Sequence, residues 1–257
     1  MITSASNEKV KHLIQLREKG KVRRKEGLFI AEGIRLVRDI PEGDTVELYY
    51  SESYEGERAA GKYEVLSDEL FKKVSDTETP QGVLAVVRMR KSTSADIINA
   101  VKNPMILLLE NIQDPGNMGT MFRTAEAAGC SGIIMTEGSA DPYSPKVVRS
   151  AMGALFRLPF AAVADWDDVF AELGKADVKI FAAALTGAVP YTKAVCTGPS
   201  AFLIGNEGNG LREETIGKVT DCGGECIKIP MAGKTESLNA AVSAAVLMYE
   251  AARQRGM

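Results

Sequence analysis

Histidine and cysteine are scarce in this chain of 257 residues, which holds one of the first and four of the second. The lone His12 lies in a basic N-terminal stretch, far along the chain from the glycine-rich loops, which disfavours serine or cysteine catalysis driven by a histidine base. Cys130, Cys196, Cys222 and Cys226 are too few and too scattered for a disulfide framework. Cys222 and Cys226 have a metal-like spacing, but no second Cys/His pair completes a tetrahedral site, so no metal is expected. Long apolar runs are missing too. Nothing approaches the roughly 18 residues a membrane span needs, and "MITSASNEKVKHL" lacks the apolar core of a secretory signal, so a cytoplasmic protein is expected.

What is present is uneven in charge. Residues 1–40 carry ten Lys/Arg against five Asp/Glu, leaving 21 against 29 for the remainder. "KVKHLIQLREKGKVRRKEG" concentrates the cations, and Lys21, Arg23, Arg24 and Lys25 are candidate contacts to a phosphate backbone, with a solvated helix face as the alternative.

Periodicity divides the chain in two. Residues 7–19 place Val10, Leu13, Ile14 and Leu16 at helical spacing; a basic turn, "KGKVRRKEG", and a second helical stretch, "AEGIRLVRDI", follow. "VELYY", "YEVL" and "GVLAVVRMR" read as strands and "SDELFKKVS" as a short helix. "RKSTSADIINAVKN" reads as a linker, giving a smaller α/β domain over 1–95 and a second domain over 96–257. The second domain alternates strand and helix as a parallel sheet does: "MILLLEN", "GIIMTE", "DVKIFAAAL", "PSAFLIGNE" and "ECIKIPM" as strands; "GTMFRTAEAAG", "SPKVVRSAMGAL" and "SLNAAVSAAVLMYEAARQ" as helices.

Parallel α/β sheets bind ligands at the carboxyl ends of their strands. Three polar loops hold that position: "ENIQDPGNMGTMFR", "GNEGNGLREE" and "PMAGKTESLN". Gly205, Gly208 and Gly210 give G-x-x-G-x-G late in the chain rather than a dinucleotide fingerprint, and "GKT" at Gly233 to Thr235 lacks the first glycine of a P-loop. The loops suit a small ligand held by backbone atoms and apolar walls.

Taken together, "NIQDPGNMGTMFRTAEAAG", "FLIGNEGNGL" and "IKIPMAGKTESLNAAVSAAVLMYE", in that order, resemble the SpoU/TrmH class of RNA ribose 2'-O-methyltransferases. The N-terminal segment "KVKHLIQLREKGKVRRKEGLFIAEGIRLV" is similar to the substrate-binding extension of the ribosomal-RNA branch. The resemblance implies a SPOUT-type parallel-sheet domain with a C-terminal trefoil knot, S-adenosylmethionine as methyl donor, structured RNA as substrate and a homodimer joined through the catalytic domain. It implies catalytic roles for Asn117, Arg123, Glu207, Ser237 and Asn239, and a cofactor seat at Gly205, Ile229 and Leu238 with Leu185 and Met231 as walls. In "KVVRSAMGAL" the chain departs from the family pattern at Ala151 and Met152, leaving Arg149 and Ser150 as candidate RNA contacts. Two alternatives stay open: the same chemistry on transfer RNA, and a non-catalytic RNA-binding protein of the same fold.

Overall fold

The computed structural model describes every residue except Thr186. In chain order the elements are α1 (Glu8–Glu18), α2 (Gly20–Glu26), β1 (Leu28–Glu32), α3 (Ile34–Arg38), β2 (Thr45–Ser51), β3 (Glu64–Leu66), α4 (Asp68–Val74), β4 (Val83–Arg88), α5 (Ser94–Ile98), β5 (Met105–Leu109), α6 (Pro115–Ala127), β6 (Gly132–Thr136), α7 (Pro145–Ala151), α8 (Ala154–Arg157), β7 (Phe160–Val163), α9 (Asp167–Lys175), β8 (Lys179–Ala183), β9 (Val189–Pro190), β10 (Ser200–Ile204), α10 (Glu213–Asp221), β11 (Glu225–Lys228) and α11 (Ala240–Gln254). They form two compact units, one of residues 1–90 with 141–156, the other of residues 91–140 with 157–257. The first thus recruits a segment that the sequence reading assigned to the second domain.

In the N-terminal unit the described residues build a four-stranded sheet in the order β1-β4-β2-β3, antiparallel except for the β2–β3 pair. Val10, Leu13 and Leu16, the apolar stripe of α1, close over Leu66, Leu70, Phe71 and Leu84. "KGKVRRKEG", expected as a turn, contains the helix α2, ended by Gly27 in the left-handed region (φ 66°), and the strand β1 precedes the second helix, here α3. Segment 141–156 joins this unit through rings and charge. Tyr143 and Phe156 pack on Phe29 with centroids 4.7 and 6.2 Å away, and Arg149 pairs with Asp76. Arg23 Nε and Nη2 donate to Asp141 Oδ2 at 3.1 and 2.6 Å, while its Nη1 donates to the carbonyls of Leu16 and Arg17.

In the C-terminal unit the described residues form a seven-stranded, wholly parallel sheet in the order β7-β6-β5-β10-β8-β11-β9. Its central strands β5, β6 and β10 are buried along their entire length, which explains their unbroken apolar sequences. One face is covered by α5, α9 and α10 around Trp166, Phe170 and Val219; α6 and α11 pack together, α6 against β6 and α11 against β10. The stretch expected as a linker holds the packed helix α5. Thr93 and Asp96 form a reciprocal capping box there, and Ile97 and Ile98 are buried in the core. Burial of two isoleucines outweighs the polar texture that suggested a loop. "SPKVVRSAMGAL" is likewise two helices rather than one, because Met152 turns into the positive-φ region (φ 54°) between α7 and α8.

Replacing Arg23 with alanine leaves Asp141 with the Tyr143 N–H and no cation and removes the tie from α2 to segment 141–156, and should destabilise the N-terminal unit by about 3 kcal/mol. Hydrogen exchange in α1 and α2 should accelerate, while the denaturation transition reported by Trp166, in the other unit, should hold its midpoint.

Candidate active site

Strands β5 and β10 pair in register from Ser200 with Met105 to Ile204 with Leu109, so the loops that follow them leave the sheet side by side. Strand β8 lies on the other side of β10, and β11 beside β8. Four loop starts, at residues 110, 184, 205 and 229, therefore sit at the carboxyl ends of adjacent parallel strands.

Loop one closes by starting a helix early. The helix was expected near Gly119 but begins at Pro115, because Asp114 caps it: its Oδ1 accepts the Asn117 amide at 2.7 Å and proline occupies the first helical position. Asn117 is thus a first-turn helix residue with a fixed backbone. Its side-chain Nδ2 donates to Glu207 Oε1 at 3.1 Å, and its Oδ1 accepts from Asn239 Nδ2 at 2.9 Å. Glu207 also accepts the backbone N–H groups of Asp114 and Gln113 at 3.1 and 3.2 Å. Asn239 Oδ1 meanwhile caps α11, accepting from Ala241 and Val242. A continuous hydrogen-bond chain, Glu207 to Asn117 to Asn239, links three loops separated by about ninety and then more than a hundred residues of sequence.

Loop two is a tight ring. Asn206 and Gly210 exchange both backbone hydrogen bonds, and Asn206 Oδ1 accepts the N–H groups of Gly208 and Asn209. A Cβ at Gly205 would overlap the Gly210 carbonyl carbon and the Leu211 nitrogen, so only glycine fits this foot of the ring. Asn206 Nδ2 donates to the Asn111 carbonyl at 2.8 Å, and Asn111 itself is held at φ 54°. Glu110 of loop one, which has 0% exposure, holds the other foot, Arg212. It accepts from Trp166 Nε1, Thr215 Oγ1, Arg212 N and Arg212 Nε, and pairs with Arg212 Nη2 at 2.7 Å.

Two carboxylates are tuned by these contacts. Burial disfavours the ionised form of Glu207, but the Asn117 amide and the N–H groups of Gln113 and Asp114 outweigh it and hold the carboxyl below the usual range. At Glu110 burial is again opposed, here by Thr215 and Arg212, with the same net direction.

The expected site residues separate into groups. Asn117, Glu207 and Asn239 meet in one chain. Arg123, nearly two turns further along α6, is exposed and its side chain makes no hydrogen bond or ion pair among the described residues; its position six residues on turns it about 120° around the helix from Asn117. Ser237 is exposed, and α11, expected from Ser237, is capped by Asn239 and begins at Ala240. Gly205 is buried, Ile229 and Met231 are half-buried, and Leu238 and Leu185 are exposed at 36% and 62%. Ala184 N donates to the Ile227 carbonyl, which fastens the approach to Leu185 against that to Ile229. Uncovered apolar side chains at the mouths of adjacent strands fit a ligand with an apolar moiety. In the N-terminal unit Lys21, Arg24 and Lys25 are exposed on α2, whereas Arg23 is buried and spends its donors on Asp141 and two carbonyls; it is a structural cation rather than a phosphate contact. Arg149 is engaged by Asp76, and Ser150 Oγ donates to the Lys146 carbonyl. Sequence reading missed the roles of Asn206 and Glu110. Their signals were an asparagine directly after the first glycine of the loop, Gly205, and a carboxylate ending a run of buried leucines.

Because both carboxyls ionise more readily in the folded chain, their stabilisation is complete above about pH 4.5 and is lost as the pH falls through their depressed folded values. Urea midpoints read by Trp166 fluorescence should therefore hold from neutrality to about pH 5 and drop below it, and the drop should be shallower in Glu110→Gln.

Residues 104–249 match the SpoU rRNA Methylase family, and residues 7–85 match the MRM3-like substrate binding domain. The chain is 36% identical, over 96% of its length and 97% of the relative's, to the 23S rRNA (guanosine(2553)-2'-O)-methyltransferase RlmP of Bacillus subtilis. It is similar to the AdoMet-bound rRNA methyltransferase from Sinorhizobium meliloti, with a TM-score of 0.85, 31% identity and coverage of 98% and 97% of the two chains. It is equally similar to the SpoU methyltransferase AviRb from Streptomyces viridochromogenes in complex with AdoMet, with a TM-score of 0.86, 30% identity and coverage of 97% and 98%. With its parallel α/β sheet, its three joined loops and a family match over more than half its length, the chain belongs to the SpoU rRNA methylase family.

Proposed function

We propose that this protein transfers the methyl group of S-adenosylmethionine to a ribose 2'-hydroxyl of ribosomal RNA. The observation that carries the reading is the Glu207–Asn117–Asn239 chain, which holds the three polar loops together at the carboxyl end of the sheet. The AdoMet complexes of two similar structures support the cofactor, and the 23S rRNA activity in the name of the Bacillus relative supports ribosomal over transfer RNA. Work on ribosomal RNA fits the cytoplasm, where bacterial ribosomes assemble.

Backbone groups at Gly205, Ile229 and Leu238 would hold the cofactor, with Leu185 and Met231 as apolar walls; when bound it supplies an electrophilic methyl group. The protein's own task is to position an alcohol, exclude water and see its proton removed. Glu207 and Asn239 fix the Asn117 amide, leaving one Nδ2 hydrogen and one Oδ1 lone pair for the ribose. Arg123, cationic and unpaired among the described residues, binds a substrate phosphate and orients the hydroxyl, and the proton passes to that phosphate or to water. Ser237 is a further polar contact beside Asn239. Lys21, Arg24 and Lys25 bind the RNA backbone through the N-terminal unit, which matches a substrate-binding domain.

The reading includes a homodimer through α6 and α11. Exposed Val242 and Tyr249, at 48% and 46%, support it, since they leave an apolar strip on a helix otherwise packed on α6. The knotted threading of the last strands belongs to the same reading, and the placing of β10 between β5 and β8, out of chain order, supports it.

Incubation with labelled S-adenosylmethionine and total RNA from a strain lacking the gene should label ribosomal RNA at a ribose 2'-oxygen, and Arg123→Ala should reduce the single-turnover rate by about a hundredfold or more. Label on transfer RNA or on a base, or none at all, refutes the assignment. Sedimentation at micromolar concentration should give a particle of two chains, and a monomer would remove the dimer from it.

A further inference from the structure

We infer that the buried Glu110–Arg212 pair is a positioning device for methyl transfer: it sets the distance and tilt of the Glu207 loop relative to Asn117. The inference rests on the proposed methyltransferase reading and adds residues to it.

Loop two is internally rigid, because Asn206 and Gly210 bond to each other twice and the Asn206 side chain fills the turn. A rigid ring has no freedom except at its feet, so whatever fixes the feet fixes Glu207. One foot is Asn206, bonded to the Asn111 carbonyl; the other is Arg212, whose backbone N–H and guanidinium both go to Glu110. Glu110 and Asn111 are consecutive, so loop one grips both ends of loop two from a single point at the end of β5. Ile204 extends the register there by accepting the Glu110 N–H at 2.9 Å.

The chemistry of the grip is more than packing requires. Glu110 lies fully buried at the end of five buried apolar residues, where an apolar side chain would cost less. Its two oxygens accept five donor contacts: Oε1 from Arg212 Nε at 2.8 Å, Arg212 Nη2 at 2.7 Å, Thr215 Oγ1 at 2.6 Å and Trp166 Nε1 at 3.2 Å, and Oε2 from Arg212 N at 3.0 Å. Such a carboxylate is directional. It fixes the first turn of α10 by Thr215, the foot of the ring by Arg212, and α9 by Trp166. Glu207 then meets Gln113, Asp114 and Asn117 at hydrogen-bonding distance without adjustment. The Arg212 side chain is 53% exposed, but its Nε and Nη2 edge is occupied by Glu110, so its first role is toward the protein.

The test compares wild type, Glu110→Gln, Arg212→Met and the double variant, with S-adenosylmethionine and the RNA methylated by the wild type. Labelling of RNA by the wild type establishes the methyltransferase reading first, so its failure is separate from failure of the positioning role. Each single variant should lower kcat by about tenfold to a hundredfold, as sub-ångström misplacement of reacting groups does, with KM for RNA changed less than threefold. The double variant should be no slower than the slower single one, because the two side chains act as a unit. Arg212→Lys, which keeps a cation beside Glu110, should recover part of kcat. Trp166 fluorescence and thermal midpoints, measured in parallel, fix an assay temperature at which every variant is folded. Unchanged kcat in folded Glu110→Gln, additive losses in the double variant, or a raised KM for RNA confined to Arg212→Met would each overturn the inference, the last by making Arg212 an RNA contact instead.

Discussion

A primary amide has two ends of opposite polarity, and Asn117 uses both. Its NH2 group meets a carboxylate that can only accept, and its carbonyl oxygen meets the NH2 of Asn239, so the amide orientation is dictated from both sides. Reversal would set two acceptors against each other at Glu207 and two donors at Asn239. The three loops therefore share one arrangement of polarity, and each loop is separately anchored: by the Asp114 cap on α6, by the Asn206 ring, and by the Asn239 cap on α11. Removing the parallel sheet beneath them would leave no reason for the three to meet.

That dependence explains why Glu110, Thr136 and Thr215, three of the buried polar residues of the C-terminal unit, gather at the carboxyl end of the sheet. Parallel strands with fully apolar faces can carry polar atoms only at their ends, where the backbone leaves the ladder and needs partners. Thr136 Oγ1 accepts the Asn111 N–H and donates to the Asn111 side chain, Asn206 satisfies the Asn111 carbonyl, and Glu110 satisfies the first N–H of the α10 approach. The same groups that complete the backbone hydrogen bonding shape the candidate active site. Fold and site share their atoms here, at Glu110 and at Gly205.

The N-terminal unit is built on a different principle. Its cations divide by burial: Arg23 ties two helices and segment 141–156 together, while Lys21, Arg24 and Lys25, on the same short helix, face solvent. Four basic residues that read alike in a row thus do different work, because a seven-residue helix turns one of them inward.

By itself the sequence determined the alternation of apolar strands and helices, the three polar loops at strand ends, and the resemblance that points to ribose methylation. These are local properties, written in periodicity and in short ordered motifs. Helix limits were less legible: Asp114 and Pro115 signal a start that the following glycine obscured, and Thr93 with Asp96 caps a helix in a stretch of linker-like composition. Tertiary structure alone decided that Glu207, Asn117 and Asn239 touch, that Glu110 is a buried anchor rather than a loop carboxylate, and that residues 141–156 belong with the N-terminal unit. Each of those facts is a pairing across dozens of residues, set by strand order and burial, and no periodicity in the chain encodes which distant partner a polar side chain will find.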